Sequence, residues 1–225
     1  MTRAASFFKA ALASALMLAF SHSFAFDLTS MVMKTAAHSI HYKTAEEFTK
    51  KALSSSSSST ASSRIAAAGT IEVAFSPNEG AEALVVKTIN SAQREIRVLS
   101  YSFTSAPVTQ ALLHAKKRGV DVKLVADHKN NVSEDRSGKA RAALSALVTA
   151  GVDVRTISVY AIHHDKVIVV DGTTTELGSF NFSASAASRN SENVLVNWNN
   201  PALAKVYLDH FQRNYRQASP YETRY

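Results

Sequence analysis

Cysteine is absent from the 225 residues of the chain. Disulfides, cysteine-ligated zinc and thiol nucleophiles are therefore excluded. Glycine is scarce, at seven residues, and neither a G-x-S-x-G elbow nor a glycine-rich phosphate loop occurs. After the first 25 residues no apolar run approaches the roughly 20 residues that a membrane-spanning helix requires. There is no internal repeat. The reactive stretch described below also lacks the carboxylate cluster that a two-metal nuclease needs.

What is present suits one domain of moderate size. Apolar residues make up 46% of the chain, enough to bury a real core. Lys and Arg number 25 against 18 Asp and Glu, a net charge of +7. Such an excess fits a polyanionic partner, either nucleic acid or an anionic membrane surface.

Residues 1–25 read as a secretory signal. Arg3 and Lys9 make a positive start, Ala10 to Phe20 form a short apolar stretch, and Ser23-Phe24-Ala25 supply small residues for cleavage. An uncleaved anchor is the alternative, but the stretch is too short to span a bilayer. An extension over 26–69 follows, with a short helix expected near Thr44 to Leu53. The run SSSSSSTASS, Ser54 to Ser63, reads as a flexible linker. His38 and His41 could share a helix face, but two histidines without a third ligand are a weak metal signal.

From Thr70 strands and helices alternate. TIEVAFSP reads as a strand, and Asn78 as the cap of a helix through about Gln93. EIRVLSYSF is a second strand. It leads into a helix capped near Ser105, with Pro107 in its first turn and Gly119 closing it. DVKLVAD is the third strand. A polar loop from His128 to Ser137, a helix over Lys139 to Ala150 and the strand DVRTISV come next. SENVLVNW is another strand, and Pro201 opens a last helix reaching about Arg216. The expected fold is α/β: a mixed, mainly parallel sheet with helices on both faces.

Reactive groups concentrate in HHDKVIVVDGTTTELGSFN, residues 163–181. Side chains alternate along a strand, so His164 and Lys166 share a face with Ile168 and Val170, and Asp165 and Asp171 point the other way. Apolar residues on both faces mark a strand buried on both sides. A histidine and a lysine at its end are costly to bury without partners. Asp171-Gly172 is a strong turn dipeptide. Either a two- or a four-residue turn there places Ser179 and Asn181 on the face of His164 and Lys166. An odd loop without a bulge would place Phe180 there instead. Imidazole, ammonium, hydroxyl and amide together make a good phosphate site, and Gly178 leaves room for close backbone approach.

The pattern His164-x-Lys166, four residues, Asp171, six residues, Gly178-Ser179-x-Asn181 resembles the signature of the phospholipase D superfamily. SYSFTSAPVTQALLHAKKRGVDVKLV and GSFNFSASAASRNSENVLV are similar to its small Nuc-type endonucleases, which carry a single motif per chain. The likeness runs from about Thr70 to the C-terminus and makes 70–225 the catalytic domain. It implies that His164 attacks phosphorus to form a phosphohistidine that water then resolves. It further implies that Lys166 and Asn181 hold the nonbridging oxygens, that Ser179 helps position the phosphate, and that Glu192 orients the nucleophilic imidazole. Without the motif, Glu192 would be an exposed glutamate at a strand end. Asp171 belongs to the signature but faces away from Lys166, so its expected part is structural.

One histidine cannot readily serve as nucleophile and general acid for the same bond, and acid catalysis is typically worth about 10²- to 10⁴-fold. With one motif per chain, the expectation is a two-fold dimer whose His164 residues meet across the axis. Two lysines would then neutralise the phosphate, with no metal or other cofactor required. KKRG, Lys116, Lys117 and Arg118 before Gly119, reads as a solvated helix end or as a nucleic-acid backbone contact, the latter shared with Lys129, Arg136, Lys139 and Arg141. His163 reads as structural or substrate-facing, and His128 and His210 as ordinary surface histidines. The expected function is an exported, metal-independent endonuclease of low sequence specificity acting on DNA or RNA, with no stable membrane insertion after signal cleavage. Phospholipid headgroup hydrolysis and nucleic-acid binding without catalysis are the alternatives.

Overall fold

The computed structural model of the chain describes residues 62–223. The signal, the expected helix near Thr44, His38, His41 and most of the serine run lie outside the described residues. Residues 62–69 carry no regular secondary structure and are mostly exposed.

The elements in chain order are β1 (Thr70–Ser76), α1 (Ala81–Asn90), β2 (Glu95–Ser100), α2 (Ala106–Lys117) and β3 (Asp121–Asp127). A π-helical turn (Lys129–Ser133), α3 (Lys139–Thr149), β4 (Asp153–Ile157), β5 (Lys166–Val170) and β6 (Thr174–Gly178) follow. The last are α4 (Ala184–Ser188), β7 (Glu192–Trp198), α5 (Pro201–Gln217) and β8 (Ser219–Pro220). They build one eight-stranded sheet in the order β1-β7-β6-β5-β2-β3-β4-β8.

The sheet is mixed, as expected, but the expectation that it is mainly parallel is corrected. Only β2–β3 and β3–β4 pair in parallel; every other neighbouring pair is antiparallel. The reason is local. Helical crossovers α2 and α3 make β2, β3 and β4 parallel, whereas the β5–β6 hairpin and the returns of β7 and β1 reverse direction. The short edge strand β8 carried no sequence signal.

Alternation along β5 divides the core. Ile168 and Val170 join the apolar layer beneath α1, α2 and α3, with Ile96, Val98, Leu124, Phe180 and Phe182. Val167 and Val169 join the layer beneath α5, with Leu99, Val125, Ile157 and Phe211. All five residues of β5 are buried. Burying one such aliphatic side chain contributes about 1.5–3 kcal/mol, so β5 is held from both faces and its Lys166 end is a rigid platform.

Local signals set the helix ends. Ser105 accepts from the backbone N–H of Val108, and Pro107 sits in the first turn of α2. Asn200 Oδ1 accepts from Leu203 N and starts α5 before Pro201. The reading of Asn78 as a cap is corrected. Asn78 takes a left-handed conformation (φ 60°), and α1 starts after Gly80 with no side-chain cap. Among the described residues no helix is long and apolar enough to cross a membrane.

Candidate active site

The hairpin register differs from both turns considered for it. Val167 faces Leu177 and Val170 faces Thr174, leaving the three-residue loop Asp171-Gly172-Thr173. Asp171 and Gly172 both adopt positive φ, 54° and 68°, and Thr173 N closes the turn on Val170 O. The turn dipeptide is thus where the sequence puts it, and Thr173 adds the odd residue. In this register Phe180 falls on the Ile168 face and is fully buried there.

Ser179 nevertheless turns toward Glu192, because the ladder breaks after Gly178. Ser179 N donates to Asn193 O (3.1 Å), but Asn193 N donates to Ser179 Oγ (3.1 Å) where a backbone carbonyl would ordinarily accept. The side chain has replaced the main chain in the ladder. Close approach demands glycine one residue earlier: a Cβ on Gly178 would lie 2.2 Å from Asn193 O. Ser179 Oγ donates to Glu192 Oε2 (2.6 Å), and Asn190 Nδ2 donates to Glu192 Oε1 (3.0 Å).

Lys166 begins β5 opposite Ser100, the last residue of β2. Its side chain is only 6% exposed. Nζ donates to the carbonyl of His164 (2.9 Å) and lies 5.2 Å from the centre of the Tyr101 ring. Burial lowers its pKa from the usual lysine value, and the carboxylates of Glu192 and Asp165 partly oppose that shift. His164 is exposed, and its imidazole lies against the same Tyr101 ring, 4.6 Å between centroids and tilted by 53°. Tyr101 N donates to the carbonyl of Asp165 (2.8 Å). One aromatic ring therefore organises both the imidazole and the ammonium.

Glu192 couples electrostatically to Lys166 and bonds Ser179 and Asn190, but no hydrogen bond joins it to His164. The orienting contact that the resemblance implied is absent here, and the ring of Tyr101 is what His164 rests on. Asn181 is half-buried, and its buried Oδ1 has no partner among the described residues. That orphan oxygen calls for a donor, and the amide Nδ2 is the group that can donate to a ligand oxygen.

Asp171 sits at the other end of β5, about 16 Å of strand from Lys166. Its carboxylate accepts from Gln93 N (2.9 Å), Arg94 N (2.8 Å) and Glu95 N (2.9 Å), and Arg94 Nη2 donates to its carbonyl (2.8 Å). Burial raises its pKa, but the donors of Glu95, Gln93 and Arg94 outweigh burial and leave it below the ordinary value. Asp171 ties the hairpin to the start of β2 and touches none of the reactive groups.

Lys116, Lys117 and Arg118 are not brought to the reactive cluster. Helix α2 carries the chain back to the start of β3, and Arg118 Nη2 donates to the carbonyls of Asn90 and Ala92. This is the Asp171 end of the sheet. Lys129 follows β3 at the His164 end, exposed and 3.6 Å from Glu134. Arg136, Lys139 and Arg141 lie in the loop and helix start after it.

Two residues with no expected part in the site lie directly behind it. Asp165 points to the α5 layer, where His210 Nε2 lies 2.8 Å from its Oδ2 and buried His163 Nδ1 3.6 Å from the same oxygen. Burial raises the Asp165 pKa, but His210, His163 and Lys166 together hold it below the ordinary value. His163 is 3% exposed, and burial keeps its imidazole below the usual histidine pKa despite Asp165 and Asp127. Its backbone N–H donates to Asp127 Oδ2 (2.8 Å). Alternation alone puts Asp165 on the α5 face. Nothing local, however, pairs it with a histidine 45 residues away. A cleft of about 680 Å³ opens over this pair, lined by Tyr207, His210, Arg213 and Arg216.

Comparison with known proteins identifies the family and the fold. Residues 85–215 match the family model described as cardiolipin synthase, PLD-like domain. A phospholipase D of Rickettsia conorii is 33% identical over 141 residues, which is 63% of this chain and 67% of that protein. A mitochondrial cardiolipin hydrolase of Xenopus tropicalis is 30% identical over 129 residues, 57% of this chain and 58% of that one. Among solved structures, Nuc from Salmonella typhimurium, a phospholipase D family member, is 43% identical with a TM-score of 0.65. That match covers 68% of this chain and 98% of Nuc. NucT from Helicobacter pylori shares the fold at 21% identity and a TM-score of 0.60, over 68% and 99% of the two chains.

Proposed function

From the premise that the chain belongs to the phospholipase D family, as a phosphodiesterase of the hydrolase class, we propose that it is an exported, metal-independent endonuclease of low sequence specificity. The observation that carries this reading is the His164–Lys166 pair held on Tyr101, with Ser179, Glu192 and Asn181 at the next strand end. The likeness to Nuc over nearly all of that chain and the net charge of +7 support a nucleic-acid substrate. The terminal signal pattern at residues 1–25 supports export.

His164 attacks phosphorus in line with the leaving oxygen, forming a P–N bond as the P–O bond breaks. The leaving oxygen takes its proton from His164 of a second copy. That second imidazole then removes a proton from water, which attacks phosphorus and releases the nucleophile. Lys166 supplies positive charge to the nonbridging oxygens, and Asn181 donates to them through its amide. Ser179 is held by Glu192 so that its hydroxyl edge is fixed beside them. Removing one donor to such an oxyanion costs about 10²- to 10³-fold in rate. The lysine charges do the work of a cation, so no divalent metal enters the reaction.

A second reading, hydrolysis of phospholipid headgroups, is favoured by the Rickettsia relatives and by the exposed apolar residues Val159, Tyr160 and Ile162 just before His163. Parallel assays on plasmid DNA, RNA and phospholipid vesicles, all in EDTA, separate the two. The nuclease reading expects cut nucleic acid and intact lipid. Lipid turnover with intact nucleic acid overturns it, and activity that EDTA abolishes and magnesium restores overturns the metal-independent step. Nucleic-acid binding without cleavage in every arm leaves the third reading, a catalytically silent binder.

A further inference from the structure

We propose that His210 is a positioning residue for the His164–Lys166 pair, acting through Asp165. The inference rests on the phosphodiesterase reading of the site.

The chain just ahead of β5 has little of its own to hold it. Ladder pairing starts only at Lys166, and residues 158–165 form no strand. Three bonds grip the residues on either side of His164. His163 N donates to Asp127 Oδ2 (2.8 Å), Tyr101 N donates to Asp165 O (2.8 Å), and the Asp165 carboxylate accepts from His210 (2.8 Å). The first comes from the last residue of β3 and the second from the residue that follows β2. The third is the one through which α5 holds Asp165.

Arg213 Nη2 has no lone pair and lies against His210 Nδ1, and Asn214 Nδ2 lies 3.2 Å from Nε2; the tautomer with its proton on Nε2 accepts from Arg213. Nε2–H then donates to Asp165 Oδ2, making a one-way chain Arg213 to His210 to Asp165. Asn214 Nδ2 donates to His210 O (3.0 Å) and steadies the turn of α5 that carries the imidazole.

Asp165 transmits the hold in two directions. Its peptide neighbours are His164 and Lys166 themselves. Its carbonyl also holds Tyr101, whose ring carries the His164 imidazole at 4.6 Å and the Lys166 ammonium at 5.2 Å. Freeing the carboxylate from α5 therefore loosens the nucleophile and the aromatic platform beneath it together. A displacement of about 1 Å at a reacting atom can cost about 100-fold in rate.

The test compares wild type, H210A, H210Q and R213A, with H164A as the inactive control. The glutamine carboxamide can donate to Asp165 and accept from Arg213, so it replaces both functions of the imidazole without a titratable ring. On bis(p-nitrophenyl) phosphate, H210A should lose roughly 10- to 100-fold in kcat, with KM little changed. H210Q should recover most of that loss, and melting temperatures should stay close to wild type. R213A, at an exposed position, should lose part of the kcat and keep its fold even where H210A does not. NMR of the His164 ring protons, shifted by the Tyr101 ring current, reads position independently of turnover. The shift should be present in wild type and H210Q and collapse in H210A. Wild-type kcat and an unmoved His164 signal in H210A and R213A would overturn the proposal. So would H210Q no better than H210A. Absence of turnover by wild type overturns the phosphodiesterase reading alone, because the ring-proton comparison still decides the positioning role.

Discussion

At the scale of single residues, the proposed mechanism separates groups that meet substrate from groups that hold them. His164 is the exposed member and Lys166 the buried one, and burial gives the lysine a rigid position at the cost of a depressed pKa. Elsewhere a buried carboxyl has no such compensation. Glu176 is fully buried in the middle of β6, and neither of its oxygens has a partner among the described residues. Desolvation raises its pKa well above the ordinary 4.5, which favours the neutral acid in the folded chain. The sign follows from linkage. The contribution of neutral Glu176 is fully present below the unfolded pKa of 4.5 and is lost as pH rises toward the folded value, because only the unfolded chain ionises freely. Thermal melts of Glu176→Gln and wild type should therefore diverge with pH, the variant gaining relative stability between pH 5 and pH 8. Parallel curves across that range would contradict a neutral Glu176.

At the scale of elements, the hairpin shows both what sequence makes legible and what it does not. Alternation assigned Lys166, Ile168 and Val170 to one layer and Asp165, Val167 and Val169 to the other, and the two core layers divide along that line. The Asp171-Gly172 turn is local chemistry and was readable for that reason. The register was not, because it depends on Thr173 joining the loop and on Ser179 Oγ replacing a carbonyl opposite β7. Likewise Lys116 to Arg118 were legible as a basic helix end, but which end of the sheet they reach depends on the α2 crossover. Asp171 makes an element-scale prediction. It closes the β5–β6 loop onto the start of β2 through three backbone N–H groups. Asp171→Ala should lower stability by about 1–2 kcal/mol, read by urea denaturation near neutral pH, with kcat of the remaining folded enzyme unchanged. Because the folded pKa is lowered, the deficit should shrink as pH falls through it. A large loss of kcat at full stability would place Asp171 in the chemistry instead.

At the scale of the whole molecule, one motif per chain makes assembly part of the proposed mechanism. In a two-fold dimer both His164 residues serve one phosphate. Equimolar wild type and H164A, exchanged to equilibrium, should therefore give about one quarter of the activity of wild type alone at the same total protein concentration, since only wild-type pairs hold both imidazoles. About one half would mean that each chain works alone. The central claim is the covalent step at His164. Its most direct measurement is to quench the enzyme during turnover of labelled nucleic acid and map any covalent adduct by mass spectrometry. The expected result is an acid-labile phosphoramidate on the peptide containing His164, absent from H164A. Turnover without any adduct on that peptide, or an adduct that persists in H164A, would contradict it.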